Sequence, residues 1–313
     1  MYIKTPNFWC HRSLISLLLF PASIIYTVAS KVHFLYRSKN QKTLDRPSFC
    51  IGNITSGGVG KTPVVQAVAE YIPNSIVVIK QPRLKTKWRT VSGNTQCGAG
   101  DDEAIMLSRY VKVIQVKSRK FIPEKLMPSA WIFDDGFQDP SILYTRSFLV
   151  FNNKIGLGNG LVFPAGPLRE KFKPAIKRTA GIILNGTKQK VLFNDINIPI
   201  FKAKRIVIIP ENLKTEKINV FSGIAFPKQF FDAVEEQVAS INLKKEFPDH
   251  HLFKEKELEE FINSKYKTIT TEKDWVRLKY KYKKIFVHSK LKSDLDEKFY
   301  RYIDSVLKEK MPL

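Results

Sequence analysis

The run Ser56-Gly57-Gly58-Val59-Gly60-Lys61-Thr62 follows directly on an apolar stretch, Phe49-Cys50-Ile51-Gly52-Asn53-Ile54. An apolar strand that opens through glycines into Lys-Thr leaves few folds, because its backbone must wrap an anion and then start a helix. Glycines 57, 58 and 60 let consecutive N–H groups point inward around phosphate oxygens. Lys61 then reaches the β/γ-phosphates, Thr62 offers its hydroxyl to Mg²⁺, and a helix beginning near Pro63 adds its positive end. The nucleotide-binding set is Thr55, Ser56, Gly57, Gly58, Val59, Gly60, Lys61 and Thr62. The strict pattern G-x-x-x-x-G-K-[ST] fails once, with Thr55 in place of its first glycine. A chance glycine turn would lack the strand before it and the helix pattern after it. The expected ligand is ATP or GTP.

Charge narrows the partner. The chain of 313 residues has 52 Lys+Arg against 29 Asp+Glu, a formal net charge of +23. Such an excess implies a polyanion: nucleic acid, an anionic membrane surface or a highly phosphorylated substrate. The length allows two domains with buried cores. Three scattered cysteines, Cys10, Cys50 and Cys97, lack metal-ligand spacing and fit a reducing compartment.

The N-terminal residues favour a membrane surface. No acidic residue precedes Asp45, and Ser13 to Ser30 is uncharged and apolar with Pro21 in its middle. Lys4 and Arg12 flank it on one side, Lys31, Arg37 and Lys39 on the other. Both flanks prefer the cytoplasm, which suits a helix or helical hairpin lying in the interface better than one crossing it. Phe8 and Trp9 would sit at headgroup depth. The competing readings are a true span, a buried core helix and a signal peptide, the last lacking a clean cleavage motif.

After Lys42, short β-branched runs alternate with amphipathic segments. Strands are expected at Ser75–Ile79, Val113–Val116, Ala130–Phe133 and Phe148–Phe151, and helices near Thr62–Tyr71 and Asp101–Tyr110. This implies a mostly parallel sheet with ligands at the strands' carboxyl ends. The Gly/Pro-rich stretch Gly156–Pro167 reads as a functional loop or domain connection. A second series follows: strands at Ala180–Leu184, Ile200–Ile209, Ile218–Phe221, Thr268–Thr270 and Ile285–His288, and a helix near Pro227–Glu236. The expected fold is α/β, a P-loop domain plus a second, smaller α/β domain and an N-terminal membrane-associated helix. Its segments are 1–40 (membrane-associated), 41–175 (P-loop domain), 176–293 (second domain) and 294–313 (C-terminal helix).

Phosphoryl transfer needs a carboxylate on Mg²⁺ and a group that accepts the attacking hydroxyl's proton. Trp131-Ile132-Phe133 runs into Asp134-Asp135, the arrangement of a Walker-B strand. Asp134 would bind the metal, directly or through water, and Asp135 would support it or touch substrate. An ordinary strand-to-turn junction is the bland alternative. Asp101-Asp102-Glu103 precede a helical run, where aspartate is most often a cap. Phe247-Pro248-Asp249-His250-His251 holds two of the five histidines without zinc-ligand spacing. A histidine working with a carboxylate would serve a kinase near neutral pH.

Together these motifs resemble the tetraacyldisaccharide 4'-kinase family, the lipid A 4'-kinases. The resemblance rests on Gly52 to Pro63 including Thr55, on Asp102-Glu103, and on Asp134-Asp135-Gly136-Phe137-Gln138. It continues through Gly158-Asn159-Gly160, Pro164-Ala165-Gly166-Pro167-Leu168-Arg169-Glu170, Phe247 to His251 and Thr271-Glu272-Lys273-Asp274. It implies transfer of the ATP γ-phosphate to the 4'-hydroxyl of a tetraacylated glucosamine disaccharide 1-phosphate, giving lipid IVA. It also implies a two-domain protein with the active site in the cleft, at the cytoplasmic face of a Gram-negative inner membrane. Carried onto this chain, Lys61 and Thr62 hold triphosphate and Mg²⁺, and Asp134 is the foremost metal carboxylate. Asp102, assisted by His250, activates the sugar hydroxyl, while Glu103 and Asp135 support the metal. A monomer acting on lipid at an anionic surface, without nucleic acid, is expected.

The departures are local. Lys80-Gln81-Pro82-Arg83-Leu84 stands where the family usually has Ser-Arg-Gly-Tyr-Gly, leaving Lys80 and Arg83 as alternative basic residues. Asp139 replaces a common His, and Asp101 replaces a Gly, which opens a choice of base between Asp101 and Asp102. Register favours Asp102. Arg119 falls where a basic residue near the phosphates is frequent. Two other classes compete. A deviant-P-loop switch ATPase usually carries an earlier loop lysine, and none lies between Asn53 and Lys61. A basic nucleic-acid ATPase would leave the apolar N-terminus unexplained, and no nucleic-acid module is recognisable.

Overall fold

The computed structural model describes residues 6–95, 97, 98, 100–186 and 196–309; Lys4 lies outside them. In chain order, α1 (Leu14–Leu18) and α2 (Phe20–Ser38) precede β1 (Ser48–Gly52), α3 (Lys61–Tyr71), β2 (Ile76–Lys80) and β3 (Trp88–Val91). Next come α4 (Asp102–Leu107), β4 (Val113–Val116), β5 (Trp131–Asp134), β6 (Arg146–Asn152), α5 (Phe172–Ile176), β7 (Gly181–Asn185) and β8 (Ile200–Ile208). The rest are β9 (Lys217–Ser222), α6 (Pro227–Glu235), β10 (Ser240–Glu246), α7 (Glu255–Ile262) and β11 (Thr268–Thr271). Then α8 (Glu272–Arg277), α9 (Tyr280–Lys283), β12 (Val287–Leu295) and α10 (Glu297–Lys308) complete the order.

The chain divides into two compact units. The larger comprises Ile3–Val91, Tyr110–Lys204 and Ser293–Leu313; the smaller comprises Ser92–Arg109 and Arg205–Lys292. Of the described residues, 176–186 and 196–204 thus belong with the P-loop, and the smaller unit resumes at Arg205, about thirty residues after the boundary expected from sequence. Residues 92–109, which carry Asp102 and Glu103, are an excursion into the smaller unit that no local pattern announces.

In the larger unit the strand order is β8-β7-β6-β1-β5-β2-β4-β3, parallel except where β3 runs antiparallel to β4. Strand β1 lies between β5 and β6, with Ile51 opposite both Asp134 and Phe148. The central strands are near-continuous apolar runs because helices cover both faces of such sheets. Trp131, Phe133 and Phe151 lie wholly buried in this core. Helix α10 adds Phe299, whose ring packs 5.1 Å from those of both Phe148 and Phe201. The smaller unit has the order β10-β9-β11-β12, all parallel. Its cores centre on Phe231 and Phe221. The sequence reading missed β10, whose alternating exposure along Ser-Ile-Asn-Leu-Lys-Lys-Glu marks a strand solvated on one face.

The apolar N-terminal run breaks at Leu19, and Pro21 stands in the first turn of α2 rather than inside a helix. Proline is at home there because its missing N–H has no intrahelical acceptor. Leu14, Leu17, Leu18, Ile25, Val28, Val32 and Leu35 are exposed, Leu18 to 80%. Among the described residues no helix is long and apolar enough to cross a membrane.

If α10 is part of the larger unit's core, Phe299→Ala should cost about 3–5 kcal/mol in denaturant unfolding of that unit. A loss below ~1 kcal/mol would show that α10 only rests on the surface.

Candidate active site

The phosphate loop joins β1 to α3. Gly60 caps α3 with a φ of 82°, a left-handed conformation that glycine adopts without strain. Lys61 Nζ donates to Asn53 Oδ1 at 2.9 Å and lies 3.5 Å from Asp135 Oδ1. Thr62 sits in the same first turn, half-buried. Asn185 at the end of β7 donates to the Val59 carbonyl at 3.0 Å, and Gln138 donates to the Asn53 carbonyl at 2.9 Å. The loop is therefore braced from the end of β7 and from the turn after β5. Thr55 Oγ1 is buried and meets no hydrogen-bond partner among the described residues.

Asp134 and Asp135 leave the end of β5 in different ways. Asp134 is 5% exposed. Asp135 takes a φ of 52°, a strained choice for a non-glycine residue, which turns its carboxylate to Lys61 and to Arg169 at 3.2 Å. Burial alone would raise the Asp135 pKa, but the Lys61 and Arg169 charges hold it below the usual range. Asp134 and the Thr62 hydroxyl supply only oxygen donors, the chemistry a hard cation such as Mg²⁺ takes, usually with phosphate and water completing its shell. Among the described residues no group of three or more His, Cys, Asp or Glu side chains is arranged to hold a metal by itself.

Arg119, only 3% exposed, fixes that turn from behind. Its guanidinium donates to the carbonyls of Asp134 at 3.0 Å and Asp135 at 2.9 Å, and to Asp139 Oδ2 at 3.0 Å. Asp139 also accepts from Lys80 at 2.9 Å, from Arg37 at 3.0 Å and from the Ser141 hydroxyl. Lys80 therefore turns into this network, while Arg83 is exposed. Arg37, read from sequence as a flank of the apolar run, reaches inward from the last turn of α2.

The Gly/Pro block serves the same region. Backbone bonds join Ser56 to Pro167 at 2.7 Å and Arg169 to Ile54 at 2.6 Å. From its other side Asn159 donates to the carbonyl of Phe8, and Trp9 Nε1 donates to the carbonyl of Pro164 at 3.0 Å. Ser23 of α2 donates to the Val162 carbonyl at 2.8 Å. Gly158 has a φ of 61°, and a Cβ there would lie 2.5 Å from the Trp9 carbonyl oxygen. The block is a clamp between the N-terminal segment and the phosphate loop, within the larger unit.

The smaller unit holds Asp102, Glu103 and His250. Asp102, in the first turn of α4, places Oδ2 3.1 Å from His250 Nδ1. Asp101 instead accepts from the Gly98 N–H at 3.2 Å. Glu103 pairs with Lys273 at 3.1 Å. His250 has a φ of 58°, held by a bond from its N–H to the Gly223 carbonyl. Burial pushes the Asp102 carboxyl up, but the His250 hydrogen bond and the Lys273 and Arg277 charges outweigh it and bring it to about 2. Lys273 and Arg277 had no role in the sequence reading. Lys273 stands in the matching run Thr271-Glu272-Lys273-Asp274, but the run Glu-Lys-Asp-Trp-Val-Arg reads locally as an ordinary helix start and does not say which side chains Lys273 and Arg277 meet. The candidate residues thus form two groups, one in each unit.

The Asp139 network carries an acid sensitivity. Burial would raise its carboxyl, but hydrogen bonds from Ser141 and Lys80 and the Arg119 charge hold it well below the usual carboxylate range. A folded value depressed below the unfolded one, near 3.9, stabilises the fold fully above about pH 5. That contribution is lost as pH falls through the folded value. Asp139→Asn should therefore cost about 3 kcal/mol at pH 7, leaving Arg119 buried without its carboxylate. The gap between wild type and variant should shrink below pH ~4 in denaturation series. A gap constant from pH 7 to pH 3 would contradict the charge assignment.

Comparison with known proteins bears on both groups. A family model described as tetraacyldisaccharide-1-P 4'-kinase matches residues 15–308. The tetraacyldisaccharide 4'-kinase of Pelagibacter ubique is 32% identical over 297 residues, 89% of each chain. That of Rickettsia typhi is 31% identical over 300 residues, 90% of this chain and 91% of its own. A crystal structure of LpxK from Aquifex aeolicus in complex with ATP superposes with a TM-score of 0.74 at 24% identity, covering 94% of this chain and all of that one. That likeness bears on the fold. With a family match running from α1 to the end of α10, across the phosphate loop and both carboxylate groups, the chain belongs to the tetraacyldisaccharide-1-P 4'-kinase family.

Proposed function

We propose that this protein transfers the γ-phosphate of ATP to the 4'-hydroxyl of tetraacyldisaccharide 1-phosphate, giving lipid IVA in lipid A biosynthesis. The observation that carries this reading is the family match over residues 15–308, which includes a phosphate loop whose lysine already sits beside an aspartate pair. Lys61 offers its ammonium to the β/γ-phosphates, and Arg169, poised on Asp135, adds a second cation where charge develops. Thr62 and Asp134 would hold Mg²⁺, with Asp135 beside them and Glu103 as a further carboxylate; when bound, the ion neutralises phosphate charge. Asp102 accepts the proton of the sugar hydroxyl and His250 orients it. A carboxyl of such low basicity suits phosphoryl transfer, where positioning outweighs base strength.

The setting proposed is the cytoplasmic face of the bacterial inner membrane, with the protein acting as a monomer. The apolar face of α1 and α2 supports it, as does the +23 charge. The clamp of the Gly/Pro block would keep that face in a fixed relation to the phosphate loop.

Radiolabelled γ-phosphate transfer to tetraacyldisaccharide 1-phosphate in detergent micelles tests the reaction. Lys61→Ala and Thr62→Ala should each lower turnover by about 10²-fold or more in folded protein. Near-wild-type transfer in either variant, or ATP hydrolysis without transfer by the wild type, would refute the reading. Deleting residues 1–30 should abolish co-sedimentation with anionic vesicles, since apolar face and basic contacts go together. Undiminished co-sedimentation would place the anchor elsewhere.

A further inference from the structure

We propose that Lys273 is a positioning residue that fixes the tautomer of His250, so that His250 donates a hydrogen bond to Asp102 and takes no proton itself. The inference rests on the kinase reading for its catalytic meaning, and on contacts within the smaller unit for its content. Lys273 Nζ lies 3.3 Å from His250 Nε2, 3.1 Å from Glu103 Oε1 and 4.0 Å from Asp102 Oδ2. On the opposite side of the ring, His250 Nδ1 is 3.1 Å from Asp102 Oδ2.

An ammonium has three protons and no lone pair, so across the 3.3 Å contact it can only donate. His250 Nε2 must then present its lone pair. A neutral imidazole has a single N–H, which falls on Nδ1, the nitrogen 3.1 Å from Asp102 Oδ2. The other tautomer would set N–H against ammonium and lone pair against carboxylate, two repulsive contacts at once. The imidazolium would bring a second cation against Lys273 at the same distance. The charged groups around the ring are Asp102, Lys273 and Asp249, the last at 3.9 Å from Nε2, beyond hydrogen-bond reach. Arg277 places Nε 4.0 Å from Asp102 Oδ2 and turns Nη2 to Asp274.

Lys273 is itself held. Thr271 caps α8 by accepting from the Asp274 N–H. Asp274, fully buried, accepts from the Ser222 hydroxyl, the Gly223 N–H and the Thr271 hydroxyl. Gly223 in turn accepts the His250 N–H. Histidine and lysine are thereby anchored to one buried carboxylate. In the reaction the sugar O–H bond breaks as the O–P bond forms. The proton passes to Asp102 and ADP leaves with the bonding electron pair, while His250 keeps its single proton throughout.

The test is long-range proton–nitrogen NMR on the full chain with nitrogen-15 histidine at neutral pH, His250 being assigned by its loss in His250→Gln. Wild type should show a protonated Nδ1 and an unprotonated Nε2, and Glu103→Gln should show the same signature. Lys273→Met should shift His250 toward the Nε2–H form and lower kcat about 10- to 100-fold, with the KM for ATP within about twofold. Lys273→Arg, still a donor, should restore the signature and most of kcat. A wild-type Nε2–H signal, or an unchanged tautomer in Lys273→Met, overturns the proposal, and the wild-type spectrum decides even if Lys273→Met fails to fold. The spectra need no substrate. The expected tautomer in a protein without phosphotransfer would refute the kinase reading and leave the lock standing.

Discussion

A buried guanidinium against a buried carboxylate is the contact on which the larger unit's site depends. Arg119 at 3% exposure is tolerable because Asp139 neutralises it and the carbonyls of Asp134 and Asp135 accept from its Nη2. Those carbonyls belong to the turn that puts Asp135 into a left-handed conformation and swings its carboxylate toward Lys61 and Arg169. Without that brace the turn would relax toward ordinary backbone geometry, and the phosphate loop's lysine would lose its partner.

Asp139 is also where the N-terminal helix meets the site, because its second oxygen accepts from Arg37 of α2. The clamp by Ser23, Trp9 and Asn159 on the Gly/Pro block runs parallel to that ion pair. On the proposed reading, a helix that lies on lipid is joined by short bonds to the loop that holds nucleotide. A rigid joint of this kind would hold the reacting phosphate at a set depth below the headgroups. The smaller unit reaches rigidity by a different route, through Asp274, a carboxylate with four donors around it.

The strand–loop–helix around Lys61 and the strand ending at Asp134 were legible in the chain because their signals are local. Apolar runs, glycines and a lysine at fixed spacing act within a dozen residues, and the parallel α/β character follows from their alternation. The apolar N-terminal stretch was legible too, although Pro21 marks a helix start rather than a mid-helix interruption. Strand β10 was lost because its alternation places lysines and glutamate on a solvated face, where composition imitates a loop.

What the sequence by itself determined is thus the chemistry each segment brings: a loop for phosphate, carboxylates after a strand, and a basic, apolar-fronted N-terminus. Only the tertiary structure decided which segments share a unit and which charges face one another. Residues 92–109 leave the larger unit for the smaller, Lys80 and Arg37 converge on Asp139, and Lys273 comes to rest on His250. Each pairing joins residues tens to a hundred positions apart. Contacts between such distant residues arise from packing and charge neutralisation in a folded core, which periodicity along the chain does not encode.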